Sequence, residues 1–363
     1  MTNLKQHLGE NSQKLSAIVI LVRIAICLLM VWSHTDYYFD PHRFPSIGPR
    51  GFIPLLDAHN ISNFLYRFPT YCVAPGFFFL AGLVLAKNIR EGKVYSTWFF
   101  IRKSLLCLGF AILLNSFGFG GKFFTLEVLY TFAQVFLLAP LLINLPVIYQ
   151  LSIFGLSILA VNLIRFPQSL DWAGGLIRFF ITGGPIGPHL KVAFPLAGWL
   201  AFFMGGLLFM QSKFFPILYQ AKKCLLLSFS FLFVFFLLRL YALFYAQTIF
   251  HYASILIASK IPPKIDFALI SLAMIFFFFF VANLIASRAK LIVWIREHLY
   301  FDSLVWYVTH IIALFVLSAL LPHLRTNSFL PLVSIFAGIC GLTFVLCRIV
   351  FRLKKRFDLL RQR

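Results

Sequence analysis

The sequence predicts an all-α fold, a polytopic integral membrane protein with about ten transmembrane helices. Three observations carry that prediction. Of the 363 residues, 61% are hydrophobic and only 12% charged, with a mean hydropathy of +0.91; soluble domains are nearer half apolar and a quarter charged. The apolar residues fall into separate runs of the length, about twenty, that spans a hydrocarbon core about 30 Å thick. Lysines and arginines gather between the runs, as loop anchors do.

Taken in order, the first run is LSAIVILVRIAICLLMVWSH, residues 15–34, entered after Lys5 and Lys14. The second, 70–86, is closed by Lys87 and Arg90, and the third, 99–117, opens after Lys93 and carries Arg102 and Lys103 near its start. Lys122 precedes the fourth run, 123–143, which only Asn144, Leu145 and Pro146 separate from the fifth, 147–164. Arg165 ends the fifth, and Lys191 stands before the sixth, 192–210. Lys222 and Lys223 open the seventh, 224–246, and Lys264 the eighth, 265–286. The ninth, 301–320, follows Arg296, and the tenth, 330–350, runs into a basic tail. With the N-terminus inside, the cytoplasmic segments carry twenty Lys and Arg against ten on the other face. Both termini are therefore expected in the cytoplasm. No repeat is visible, and 1–363 reads as a single membrane-embedded domain with no separate soluble domain.

The net charge of +21 is distributed as loop anchors rather than gathered into a nucleic-acid patch, so no nucleic-acid partner is expected. The six cysteines fall in or beside apolar runs without metal-ligand spacing, so neither a disulfide framework nor a metal site is expected. The first run lacks a cleavage signal and contains Arg23, so it reads as retained. Walker A, HExxH and GxSxG motifs are all missing from the sequence.

Polar side chains inside the runs are few: Arg23, His34, Asn115, Glu127, Gln134, Asn162, Arg239, Asn283, Asp302 and His310. Arg23 and His34 stand out. Eleven residues is three turns plus about 20°, so both lie on one stripe of one helix, roughly 16 Å apart along its axis. An arginine in hydrocarbon costs at least about 2.5 kcal/mol and must face protein, water or a ligand. Arg239 and Asp302 read as structural ion partners. The outer segments 35–69 (Asp36, Asp40, His42, Asp57, His59) and 165–191 (Asp171, Trp172, Gly174, Gly175, Gly183, Gly184, His189) suit either a sugar-binding rim or plain solvated loops.

Five stretches in order resemble the acyltransferase-3 family of integral membrane acyltransferases. They are the R-x10-H of Arg23 and His34, APGFFFLAGLVLAKN (74–88), FFIRKSLL (99–106), QVFLLAPLL (134–142) and SLVWYVTH (303–310). FPLAGWLAFFMGGLLF (194–209) is also similar to the heparan-glucosaminide N-acetyltransferase group. The family's third-helix R-x-x-R is reduced here to Arg102–Lys103, and Phe132 and Ala133 replace acidic residues, with Glu127 a turn and a half earlier. The resemblance implies transfer of an acyl group, acetyl above all, from cytoplasmic acyl-CoA to a glycan or glycolipid hydroxyl in a bacterial inner membrane. Under it, Arg23, Arg102 and Lys103 hold the acyl-CoA phosphates. His34 is general base or acyl carrier, oriented by Asp36, Asp40 or Glu127, while Asp40 and His310 contact the acceptor. The competing reading is a transporter or flippase of a lipid-linked glycan, which would use the same basic cavity without chemistry. Oligomeric state, acceptor sugar and acyl identity have no sequence signal.

Overall fold

The computed structural model describes residues 2–39, 68–116, 124–164, 172–186, 189–245, 263–286, 302–326 and 329–361. In chain order the helices are α1 (Thr2–Phe39), α2 (Val73–Arg90), α3 (Thr97–Ser116), α4 (Val128–Asn144), α5 (Val147–Leu163) and the short α6 (Trp172–Ile177). They continue with α7 (Leu196–Gln211), α8 (Ala221–Tyr245), α9 (Ile265–Ala286), α10 (Ser303–Leu320) and α11 (Phe329–Arg361). Three short strands, β1 (Phe124–Leu126), β2 (Gly184–Pro185) and β3 (Leu190–Val192), complete the elements. This is an all-α membrane protein in its dominant architecture: each of the ten apolar runs is helical over most of its length. Among the described residues seven helices are long and apolar enough to cross a membrane: α1 to α3 and α8 to α11. The helices α4, α5 and α7, at 17, 17 and 16 residues, span only about 24–26 Å at 1.5 Å per residue.

Two apolar runs begin as strand rather than helix. The run 123–143 opens with β1, which pairs in parallel with β3 through Phe124–Leu190, Thr125–Lys191 and Leu126–Val192. β2 adds to the other edge of β3, antiparallel. The amide of Asn115, at the end of α3, holds Thr125 from the side: its Oδ1 accepts from the Thr125 N–H at 2.9 Å and its Nδ2 donates to the Thr125 carbonyl at 3.0 Å. Backbone pairing of this kind outweighs helix propensity for the first few residues of both runs. The segments before α4 and before α7 thus meet in one small sheet.

The chain divides into two compact units: Met1–Val73 with Tyr219–Cys224 and Phe277–Arg363, and Ala74–Leu218 with Leu225–Phe276. In the second, α2 and α7 cross at two glycines. A Cβ at Gly82 would run into the Phe203 carbonyl oxygen, and one at Gly206 into that of Phe79. Small residues let apolar helices approach backbone to backbone, where dispersion is strongest. Around the crossing Trp199 is fully buried, packed against Phe78 (centroids 5.7 Å), Phe194 (4.7 Å), Phe202 (6.0 Å) and Phe267 (6.2 Å). The glycines and aromatics of the second and sixth runs are therefore helix-packing residues.

In the first unit, α1, α10 and α11 pack together. Trp32 meets Phe336 edge-on at 5.2 Å, and Thr309 Oγ1 lies 3.5 Å from Cys347 Sγ. α1 and α10 run parallel. Arg23 feels the charge of Asp302, His34 bonds to His310, and the Phe39 carbonyl accepts from the Thr326 N–H at 2.8 Å, in that order along both. All six cysteines are free thiols.

Candidate functional site

The α1–α10 contact is built from the two residues of the R-x10-H and two from the ninth run. Asp302 is the N-cap of α10: its Oδ1 accepts from the N–H groups of Leu304 (2.9 Å) and Val305 (3.2 Å). The same carboxylate lies within electrostatic range of the Arg23 guanidinium, and Cys27 stands one turn along α1 from Arg23. One turn of α1 beyond Cys27 lie the fully buried Met30 and Val31, and then His34.

His34 Nδ1 lies 2.7 Å from His310 Nε2. The ring planes are 13° apart and the centroids 5.0 Å. That separation accommodates two ring radii and a 2.7 Å bond only if the nitrogens point at each other along the line of centres. The imidazoles are edge to edge and nearly coplanar, the geometry of a linear N–H···N bond. His310 is fully buried and its Nδ1 lies 2.7 Å from the Trp306 carbonyl oxygen, one turn back on α10. Tyr307 walls the pair, edge-on to both rings at 6.1 and 5.7 Å. His34 is only partly buried, so the pair has a closed end at Trp306 and a more open end at His34.

The other expected site residues fall elsewhere. Asp36 is buried on α1, but two residues from His34 is about 200° around the helix, so the two do not share a face. Glu127 stands at the N-cap of α4 in the second unit, without a side-chain cap bond; its carbonyl accepts from Tyr130 and Thr131. Arg102 is exposed on α3, and Lys103, half-buried, has its Nζ 5.9 Å from the Phe99 ring centroid. Asp40, with His42, Asp57, His59 and Asp171, lies outside the described residues. Trp306 and Tyr307 were missed in the sequence, although the four-residue step from Trp306 to His310 is the spacing at which a helix brings a side chain back to a preceding carbonyl.

Arg239 pairs with Asp266 at 3.2 Å, joining α8 to α9. Arg178, buried in the π-helical turn Arg178–Thr182, donates to the Pro185 carbonyl at 2.6 Å and so ties that turn to β2.

Chemically, the α1–α10 contact offers an imidazole with a fixed partner at one end of a stripe and a cation within electrostatic range of a carboxylate at the other. Compared with known proteins, the chain matches no family model, no curated protein and no solved structure.

Proposed function

We propose that the protein is an acyl-CoA-dependent O-acyltransferase of the acyltransferase-3 type. It moves an acyl group, acetyl in the first instance, from the cytoplasmic side to a hydroxyl of a cell-envelope glycan such as lipopolysaccharide O-antigen or another surface polysaccharide. The observation that carries this reading is the 2.7 Å bond between His34 and His310. An imidazole whose Nδ1 is engaged by a fixed partner and which remains partly accessible is the arrangement of a general base or nucleophile. Buried polar pairs are uncommon in membrane interiors and are kept where there is work for them. In this reading ten helices cross a bacterial inner membrane with both termini in the cytoplasm. The parallel course of α1 and α10 agrees with that count, since both are odd-numbered crossings. Arg102 and Lys103 hold the phosphates of acyl-CoA, while Arg23 and Asp302 keep the inner part of the stripe polar.

The test is purified protein in lipid nanodiscs with radiolabelled acetyl-CoA. Label transferred to envelope glycan, or slowly released by hydrolysis in its absence, is expected from the wild type and not from His34→Ala. Neither transfer nor hydrolysis, with the glycan present and the protein folded, would favour a flippase instead. Mass spectrometry of envelope glycans from cells with and without the gene identifies the acyl group and its position.

A further inference from the structure

We infer that His310 is a positioning residue that locks His34 in the Nδ1–H tautomer, so that His34 Nε2 is the nitrogen that takes the acceptor's proton. The inference rests on the acyltransferase reading for its chemistry, but on geometry alone for the tautomer. A carbonyl oxygen can only accept, so the 2.7 Å contact from His310 Nδ1 to the Trp306 carbonyl requires the proton on His310 Nδ1. A neutral imidazole carries one N–H, and His310, fully buried among helix side chains, is in the environment that disfavours a charged ring. Its Nε2 is therefore a lone pair. The 2.7 Å bond to His34 then has one possible direction: His34 Nδ1–H donates to His310 Nε2. His34 Nε2 is the atom with the lone pair.

The chain of bonds ends on the Trp306 carbonyl, which cannot pass a proton on. It holds one tautomer; it does not conduct. In the reaction, the acceptor hydroxyl gives its proton to His34 Nε2 while its oxygen attacks the thioester carbonyl carbon. The new C–O bond forms, the C–S bond breaks, and the departing coenzyme A thiolate takes the proton from Nε2. The transient imidazolium on His34 is steadied by the His310 lone pair at Nδ1. Here a second histidine performs the role that a carboxylate performs in a serine-protease triad, where the wrong tautomer costs about 10⁴-fold in kcat.

The tautomer is read by nitrogen-15 spectra of histidine-labelled protein in nanodiscs, assigned with His34→Gln and His310→Gln. A protonated Nδ1 and an unprotonated Nε2 on His34 are expected; the reverse would overturn the inference even in a fully active enzyme. The spectrum reads the tautomer whether or not acyl transfer occurs, so an inactive wild type counts against the proposed function alone. In the kinetic arm, His310→Leu should lower kcat by at least about 10²-fold with little change in KM for acetyl-CoA. His310→Gln, whose amide oxygen can accept from His34 Nδ1–H, should recover to within about tenfold of wild type. If Gln and Leu were equally impaired while both fold, or if Leu kept wild-type kcat, His310 would be only a packing residue.

Discussion

The polar residues of the apolar runs behave differently in the two units. In the second, the asparagines hold the ends of helices and strands: Asn115 clasps the Thr125 backbone, and Asn162 Oδ1 accepts from the Ile265 N–H at 3.2 Å. Arg239 and Asp266 form an ion pair at 3.2 Å between α8 and α9. The α2–α7 crossing there is made by Gly82 and Gly206 with aromatics around it. In the first unit, the α1–α10 contact brings side chain to side chain, His34 to His310, with Asp302 in electrostatic range of Arg23. Asn283 belongs to the backbone-holding kind, donating to the Phe279 carbonyl at 2.8 Å. The contrast separates polar groups that fold requires from polar groups that packing does not explain. A leucine stripe would join α1 to α10 as well as a histidine pair, and would avoid the cost of burying an arginine.

If His34 is the base of the proposed reaction, its removal gives the largest expected effect. His34→Ala should lower acyl transfer by about 10²–10⁴-fold, equivalent to roughly 3–5 kcal/mol in the barrier, with thermal stability and acetyl-CoA binding nearly unchanged. His34→Gln should not rescue it, because an amide takes no proton at neutral pH. Near-normal turnover in either variant would make the histidine pair structural and erase the contrast. The opposite pattern is expected at the glycine crossing. Gly206→Leu forces a side chain into the Phe79 backbone and should cost about 3 kcal/mol or more. Thermal unfolding in detergent would register it as a lost or strongly lowered transition, and any protein that still folds should keep its ratio of kcat to wild type close to one.

Much of this was legible in the sequence. Each of the ten runs is helical over most of its length, since long apolar stretches have little competition for the helical state, and among the described residues seven of these helices are long and apolar enough to cross a membrane. The starts of the fourth and sixth were misread because β1 and β3 owe their pairing to residues more than sixty positions apart, which no local window contains. Within the site, the Arg23–His34 register came from helical phase alone. The partner of His34 did not, since His310 is 276 residues away. Carboxylates are the usual orienting groups for an imidazole, but Asp36, the nearest in sequence, lies about 200° around α1 from the His34 face. The glycines of the resemblance motifs carried a packing role that sequence alone does not distinguish from a functional one.

The Arg23–Asp302 association is the next place to press the comparison. Asp302→Asn keeps an N-cap for Leu304 and Val305 while removing the charge that faces Arg23. A loss of about 1–2 kcal/mol in unfolding free energy is expected, in the upper range for polar contacts between membrane helices. Adding Arg23→Met should return most of it, because the damage lies in leaving one charge uncompensated rather than in losing an attraction. A double mutant as unstable as the sum of the singles would mean that Arg23 and Asp302 act independently.

The smallest effect is expected where the polar groups are most accessible. Arg102 is exposed and Lys103 half-buried on α3, and exposed charge contacts are worth about 0.2–1 kcal/mol each. If they hold acyl-CoA phosphates, Arg102→Gln with Lys103→Gln should weaken acetyl-CoA binding by about fivefold to tenfold at low salt and leave kcat at saturation nearly intact. Salt dependence separates this from a mere anchoring role. Wild-type affinity should fall as ionic strength rises from 0.01 to about 0.15 M, where the screening length shrinks from about 30 to 8 Å, whereas the double variant should be flatter. The two curves should then converge at high salt. Parallel curves, or equal affinities throughout, would assign Arg102 and Lys103 to topology alone, and binding measured by equilibrium dialysis with labelled acetyl-CoA is enough to tell these outcomes apart.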